Sequence, residues 1–421
     1  MVVPEDTRQK IVILGGSYGG ISTAHYLLKH VVPKLPDPRS YQVVLISTSS
    51  HTMCRPAAPR ALISDSMFQQ DKLFVSIPKS FSQYAPGSFV FEQGTATALD
   101  HDNRTVSVLL TSNDDSERAE LRMNYHALVI ATGSSTPSPL LGLNHDEVAL
   151  RSSWATFRKA LPDAKHIVVV GGGASGVEVA GELGEHLNGR AGWLSSILSN
   201  PKVEITLISG GPRILPYLRP AIAQTGETYL AKVGVRIMHN VRVATVVPAT
   251  AGEDDVATTA ALTLDNGEIL QADLYIPATG AIPNTKFISE TIRCSDGRVD
   301  TNASTLRVPG AGERVYAVGD AASAARPSVH NVLAAVPVLC ANIKRDLLLA
   351  TGASAQVAGE DRIFQEDTRE TQLVPIGKSK GVGAAMGTRL PSFLVWLIKG
   401  RDYWLWTTGN LWNGKQWAKE S

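Results

Sequence analysis

The chain has 421 residues, with 40 Lys and Arg against 39 Asp and Glu and a formal net charge of +1. That balance gives no bulk electrostatic pull toward nucleic acid, and no zinc spacing or recognisable nucleic-acid module is present, so nucleic acid is not an expected partner. With 43% apolar and 19% charged residues, the composition excludes a disordered chain, and the length allows two or three domains, each with its own core.

The opening Met1-Val2-Val3-Pro4-Glu5-Asp6-Thr7-Arg8 carries no apolar signal core and no glycine after the initiator methionine. No run of 18 apolar residues occurs, so neither a signal peptide nor a transmembrane helix is expected, and the expected location is cytoplasmic. Cys54, Cys294 and Cys340 lie far apart with no Cys-x-x-Cys, which speaks against both a disulfide framework and a redox-active cysteine pair.

Residues 10–31 read as strand, turn and helix around Gly15-Gly16-Ser17-Tyr18-Gly19-Gly20. The first glycine serves a tight turn, a tiny second residue admits a pyrophosphate, and the last allows helix and strand to pack closely. A proline-bearing connection leads to a second strand, Tyr41 to Ser47. An acid usually ends that strand to hold the adenosine ribose; here Ser47 stands in its place. The loop His51-Thr-Met-Cys-Arg-Pro-Ala-Ala-Pro-Arg60 then runs past the expected cofactor, with Arg55 and Arg60 as its cationic candidates and a surface ion pair as the alternative for either. Cys54 reads as an inert apolar filler. Residues 88–133 alternate with hairpin signals at 99–104 and 112–115, and a turn at Gly94-Thr95-Ala96 is expected to offer backbone groups to an adenine edge. A buried strand ending in Ala131-Thr132-Gly133 returns beside the first turn.

From about Leu141 a second unit begins, opened by Gly171-Gly172-Gly173-Ala174-Ser175-Gly176 after His166-Ile-Val-Val-Val. On its helix, Glu178 and Glu182 sit at i and i+4. Such a pair usually marks a solvated face, yet Glu178 lies just after the turn, where a nicotinamide approaches a flavin, and is the catalytic candidate. The next strand ends in Ser209-Gly-Gly-Pro-Arg213. No acid repels the extra phosphate of NADPH there, and Arg213 lies close by. A β-rich stretch over 241–271 and a second Ala278-Thr279-Gly280 close this unit. Glu313-Arg-Val-Tyr-Ala-Val-Gly319-Asp320 then returns to the first, aiming a carboxylate at a ribityl chain, with a following helix N-terminus able to face a ring carbonyl.

Two such glycine turns in one chain mean two dinucleotides facing each other, a flavin and a nicotinamide, in an electron-transfer enzyme. Without a cysteine relay, the flavin hands electrons directly to the acceptor. The order of motifs resembles the pyridine nucleotide–disulfide oxidoreductase fold, and within it the apoptosis-inducing-factor-like branch of ferroptosis-suppressor type, as a fungal-type member without the redox disulfide. The likeness runs through Ala58-Pro-Arg60-Ala-Leu, Gly171-Gly-Gly-Ala-Ser-Gly-Val-Glu178, Ala317-Val-Gly-Asp320, Gly381-Val-Gly and Leu397-Ile-Lys-Gly-Arg-Asp402. It implies an α/β chain of two Rossmann-like dinucleotide-binding domains: residues 1–140 with 285–365 for FAD, 141–284 for NAD(P)H, and a C-terminal segment over 366–421.

By the same resemblance, Gly15 to Gly19, Arg60, Ala96 and Asp320 fall where the family binds FAD or a modified FAD. With them go Gly20, Ser47, Arg55, Thr132, Gly133 and Gly319 around the first turn, and Gly171, Gly173, Gly176, Arg213 and Gly280 around the second, for NADPH or NADH. Ser17 and Ser47 depart from the family's glycine and acid. The implied reaction passes hydride from NAD(P)H to flavin and electrons to a small quinone-like acceptor, chemistry that needs positioning rather than an acid–base triad. Alternatives are a tailoring oxidoreductase of specialised metabolism and a flavoprotein of mainly signalling or scaffold role. Five of the seven tryptophans fall in the last 26 residues. They suit packing on the flavin domain or on a second subunit in a homodimer, with peripheral membrane contact beside Lys399, Arg401 and Lys415 as the other option.

Overall fold

The structure is a computed structural model that describes residues 8–111 and 119–421; the hairpin turn expected at 112–115 lies outside the described residues. The first strand, Gln9–Leu14, and the second, Tyr41–Ser47, are apolar on both faces and buried almost throughout, the pattern of a parallel sheet covered on both sides. They sit inside a seven-stranded sheet ordered Val315–Ala317, Ala127–Ile130, Gln9–Leu14, Tyr41–Ser47, Phe89–Asp100, Thr105–Leu110, Glu120–Asn124. The pairings from Val315–Ala317 through to the first half of Phe89–Asp100 are parallel.

Phe89–Asp100 changes partner midway. Phe89 to Gln93 pair in parallel with Val43 to Ser47, and Gly94 onward pairs antiparallel with Thr105–Leu110. The expected turn at Gly94-Thr95-Ala96 is therefore corrected to continuous strand. The glycine marks the close approach of a neighbouring backbone, because a side chain there would press on Leu109 O and Val108.

The second unit has a four-stranded parallel sheet ordered Val235–His239, Glu204–Ser209, His166–Val170, Leu274–Pro277, and a three-stranded antiparallel sheet of Val243–Val247, Ala260–Leu264 and Ile269–Ala272. The two passages between the units run side by side as a short antiparallel pair, Ser134–Ser135 with Ile282–Pro283. The helix Val329–Ala350, capped by Ser328 through the Asn331 N–H, packs on the first helix, Tyr18–Tyr26, in one core.

The C-terminal residues strap the two units together. The antiparallel sheet Gln372–Ile376, Lys380–Ala385 and Thr388–Arg389 contributes Val374, Ile376, Val382 and Ala384 to a core shared with the second unit, and Tyr403 and Leu405 join them. The helix Leu405–Trp412 and the turn after it place Leu411, Trp412 and Trp417 in the core of the first unit instead. Trp412 lies 4.8 Å from the Tyr18 ring, and its carbonyl meets His25 Nε2 at 2.8 Å while His25 Nδ1 meets Tyr84 Oη at 2.8 Å. Burial pushes the His25 imidazole down to about 4, so at neutral pH it holds both partners as an uncharged ring. Packing on the first unit thus accounts for Trp412 and Trp417. Trp406 is 58% exposed and Phe393 64%. Among the described residues no helix is long and apolar enough to cross a membrane.

If this docking holds the segment in place, Trp412→Ala should lower the unfolding free energy by about 3–5 kcal/mol, whereas Trp406→Ala should change it by under about 0.5 kcal/mol. Urea denaturation of both variants measures the contrast, and equal losses at the two positions would contradict the docking.

Candidate functional site

The two glycine turns are built alike, residue for residue. Gly15 and Gly171 take φ of +116° and +134°, where a side chain is strained and would also strike the carbonyls of Ala131 and Ala278 respectively. Each turn is held to its neighbouring strand, Gly15 N–H donating to Ile46 O at 2.8 Å and Gly171 N–H to Ile208 O at 2.9 Å. A side chain on Gly16 would strike Ser47, and one on Gly172 would strike Ser209; on Gly20 and Gly176 it would strike the carbonyls of Gly15 and Gly171. Gly173 has open space in front of it. Each turn feeds directly into a helix N-terminus, Tyr18–Tyr26 after Ser17 and Ala174–Asn188 after Gly173. Neither helix has a side-chain cap, so free backbone N–H groups face outward, as an anion requires.

Around the first turn the structure gathers several predicted residues. Gly319 takes φ of +84° and turns Asp320 toward Ser134, whose hydroxyl donates to Asp320 Oδ2 at 2.8 Å. Arg55 donates to Ser134 O at 2.9 Å and stands 3.9 Å from Asp320. Gly133, at φ of +64°, faces open space. Thr132 serves the junction between the units: its hydroxyl donates to Asn284 O at 2.8 Å and fastens the returning passage. Ser47 is buried, and its Oγ accepts the Ser49 N–H at 3.4 Å; it packs beneath the turn rather than projecting from the strand end.

Arg60 is neither a surface ion pair nor a free cation. Its guanidinium is buried and bidentate with Glu182, at 2.9 and 2.7 Å, and also donates to Gly400 O at 2.7 Å. These partners occupy its fork in the interior, which leaves Arg55 as the cation of this loop beside Asp320. The solvated-face expectation for Glu178 and Glu182 is likewise corrected, since each is only 3% exposed. The helix Ala174–Asn188 turns that face toward the C-terminal strap. There Lys399 Nζ meets Glu178 Oε1 at 2.5 Å and Leu373 O at 3.0 Å, and Tyr403 Oη donates to Glu182 Oε1 at 2.9 Å. The Lys399 ammonium also lies 5.0 Å from the Trp404 ring centroid. Burial pushes the Glu178 carboxyl up to about 7, against the opposing pull of Lys399.

Cys54 joins this cluster to the first turn. The Tyr18 hydroxyl reaches its Sγ at 3.5 Å, and the thiol donates to Tyr403 O at 3.3 Å. Burial raises the thiol to about 11, so it stays a neutral packing group at physiological pH. The three cysteines are unpaired. A continuous line therefore runs from Tyr18 at the first helix, through Cys54, Tyr403 and Lys399, to Glu178 on the second. At the end of the strand Glu204–Ser209, Ser209 is buried with its hydroxyl turned inward to Arg213 O at 3.1 Å. Arg213 itself is half-buried and donates to Pro216 O at 3.2 Å. Gly280 lies exposed beside the second turn.

Sequence reasoning missed Lys399, Tyr403 and Asn284. One signal for Lys399 was available: a cation directly after the apolar run Phe393 to Ile398 asks for a buried partner.

Comparison with known proteins agrees with this geometry. Residues 9–338 match the family model described as pyridine nucleotide-disulphide oxidoreductase. The chain is 61% identical over 416 residues to oxidoreductase phnG of Penicillium herquei, covering 99% of this chain and 98% of that one. It is 26% identical to ferroptosis suppressor protein 1 of Xenopus tropicalis, covering 93% of each, so the ferroptosis-suppressor likeness is a distant one. Among solved structures, the NDH2 of Plasmodium falciparum in complex with NADH superposes with a TM-score of 0.64 at 16% identity, covering 98% of this chain and 99% of that one. With its duplicated glycine turns and their paired sheets, the chain belongs to the pyridine nucleotide-disulphide oxidoreductase family.

Proposed function

We propose that this oxidoreductase binds FAD at the first turn and NADPH or NADH at the second, and passes electrons from the nicotinamide through the flavin to a small quinone-like acceptor. The duplication carries the reading: two turns that exclude side chains in the same three places, each opening on an uncapped helix N-terminus. The room left at each suits a pyrophosphate. Bound FAD supplies a ring that takes up a hydride and gives up its electrons to an acceptor.

The chain's own residues position and insulate. Gly15, Gly16, Ser17 and Gly19 would hold the flavin's pyrophosphate, Asp320 fixed by Ser134 its ribityl chain, and Gly171, Gly173 and Gly176 the nicotinamide partner. Arg55 offers a positive charge beside Asp320. Glu178, buried against Lys399, would hold a proton in a dry site beside the place where the two dinucleotides would meet. A carboxyl near 7 exchanges a proton readily at neutral pH, and reduction of a quinone to a quinol consumes two protons along with two electrons. The protonated thiol of Cys54 takes no part in electron relay.

A second reading keeps the cofactors and changes the acceptor to a specialised metabolite. The higher identity to a Penicillium herquei oxidoreductase, 61% against 26% for ferroptosis suppressor protein 1, favours testing such compounds beside simple quinones.

An anaerobic absorbance titration tests the scheme. The purified protein should be yellow, bleach on addition of NADPH or NADH, and recover its colour with a short-chain quinone. A colourless protein that FAD cannot reconstitute removes the flavin, and bleaching that quinone does not reverse moves the acceptor to the second reading.

Glu178 gives a separate pH prediction. The carboxyl is neutral below about pH 7 in the folded protein and ionised above it. The rate of acceptor reduction, followed by stopped flow, should therefore decline as pH rises through about 7 and flatten in Glu178→Gln, with a rate about 10²-fold lower at pH 6. An unchanged profile in the variant would remove Glu178 from proton supply.

A further inference from the structure

The strand Glu204–Ser209 lies next to the second turn, and its end is the place where a pyridine dinucleotide presents its adenosine ribose. Selection of NADH requires a carboxylate there to receive the ribose diol. Ser209 occupies that place, and its hydroxyl is committed inward to the carbonyls of Gly211 and Arg213. What fills the space instead is a cation from another part of the chain. A side chain built on Gly210 would meet Arg242 at 3.2 Å, at both Cγ and Nε, so Arg242 lies where a strand-end side chain would have stood. Its position is fixed by the backbone: Val241 N–H donates to Ser209 O at 3.2 Å, and Asn240 N–H to Gly211 O at 3.0 Å.

Arg242 is exposed, and among the described residues its guanidinium has no hydrogen bond or ion pair. Asp265 turns one carboxylate oxygen to the backbone N–H of Arg242 at 3.1 Å, not to its guanidinium. Arg213 stands on the same loop and spends one N–H on Pro216 O. Two guanidinium groups with most of their donors free, at a strand end that carries no acidic residue of its own, suit a dianionic phosphate monoester far better than a ribose diol.

We propose that Arg242 and Arg213 form a site for the adenosine 2′-phosphate of NADPH, which makes NADPH the preferred donor. The assignment rests on the second turn being the nicotinamide site. Arg242 is the specificity-determining residue, reaching across Gly210 from the neighbouring segment, and Arg213 closes the loop side of the phosphate.

Isothermal titration of the flavin-loaded protein with adenosine 2′,5′-bisphosphate and with 5′-AMP tests this without turnover. The wild type should bind the bisphosphate at least about tenfold more tightly than 5′-AMP. Arg242→Ala should lose about tenfold for the bisphosphate and leave 5′-AMP unchanged. Arg213→Ala should act in the same direction, and because Arg242 is exposed its substitution should leave the melting temperature where it was. Equal wild-type affinity for the two ligands, or an equal loss for both in Arg242→Ala, overturns the phosphate site while the nucleotide site stands. If neither ligand binds the wild type, the reading of the second turn falls and this proposal falls with it.

Discussion

Backbone has to meet backbone at both glycine turns, and much of the architecture serves that approach. The Ala131 carbonyl presses on Gly15, and the Ala278 carbonyl on Gly171, closely enough that a methyl group would not fit at either glycine. This is possible because the strands Ala127–Ile130 and Leu274–Pro277 lie parallel to, and in register with, Gln9–Leu14 and His166–Val170. The passages that follow them, past Thr132 and Thr279, run together as Ser134–Ser135 and Ile282–Pro283. One constraint, met twice, thus brings both turns beside the junction between the units. Two such turns beside one junction would bring two bound rings together under the proposed function, and positioning is most of what hydride transfer asks of a protein.

The junction is sealed with charge. Placing Arg60, Glu182, Glu178 and Lys399 out of water costs several kcal/mol for each ion, and good geometry is needed to offset it. For Arg60 and Glu182 the geometry is supplied by a bidentate fork, the Gly400 carbonyl and the Tyr403 hydroxyl. The pair of Glu178 and Lys399 is less completely compensated, and its carboxyl sits near 7. One pair is therefore a fixed tie between the short helix Ala58–Ala61, the helix Ala174–Asn188 and the C-terminal strap. The other can change its protonation at neutral pH. A purely structural seal would gain from apolar residues in both places; retaining a proton-binding group at the meeting point is consistent with proton supply there.

Both glycine turns, both Ala-Thr-Gly strand ends and the return through Gly319-Asp320 were legible in the sequence, because each depends on local backbone geometry that only a few residue types allow. The exchange of partner at Gly94 was not, since a glycine inside a long strand carries the same local signal as a glycine in a turn. The burial of Arg60, Glu178 and Glu182 was illegible for a different reason. Whether a charged helix face meets water depends on what packs against it, and here that is Lys399 and Tyr403, more than 200 positions away. The tryptophans of the tail divide by the same logic: Trp412 and Trp417 are buried because Tyr18, His25 and Tyr26 lie opposite them, and no local pattern distinguishes them from Trp406.

The two units share one further feature that bears on selectivity. At both strand ends a serine takes the place of the usual acid, and both serines pack beneath the second glycine of their turn, Ser47 against Gly16 and Ser209 against Gly172. A small buried hydroxyl there tightens the turn, but it cannot project to a ribose. Discrimination at the adenosine end must then come from groups outside the strand. On the second unit the proposed phosphate site assigns this to Arg213 and Arg242, one from the loop and one from the adjoining segment. Moving the deciding charge off the strand end frees that position for packing and gives the site the sign of charge that a phosphate requires.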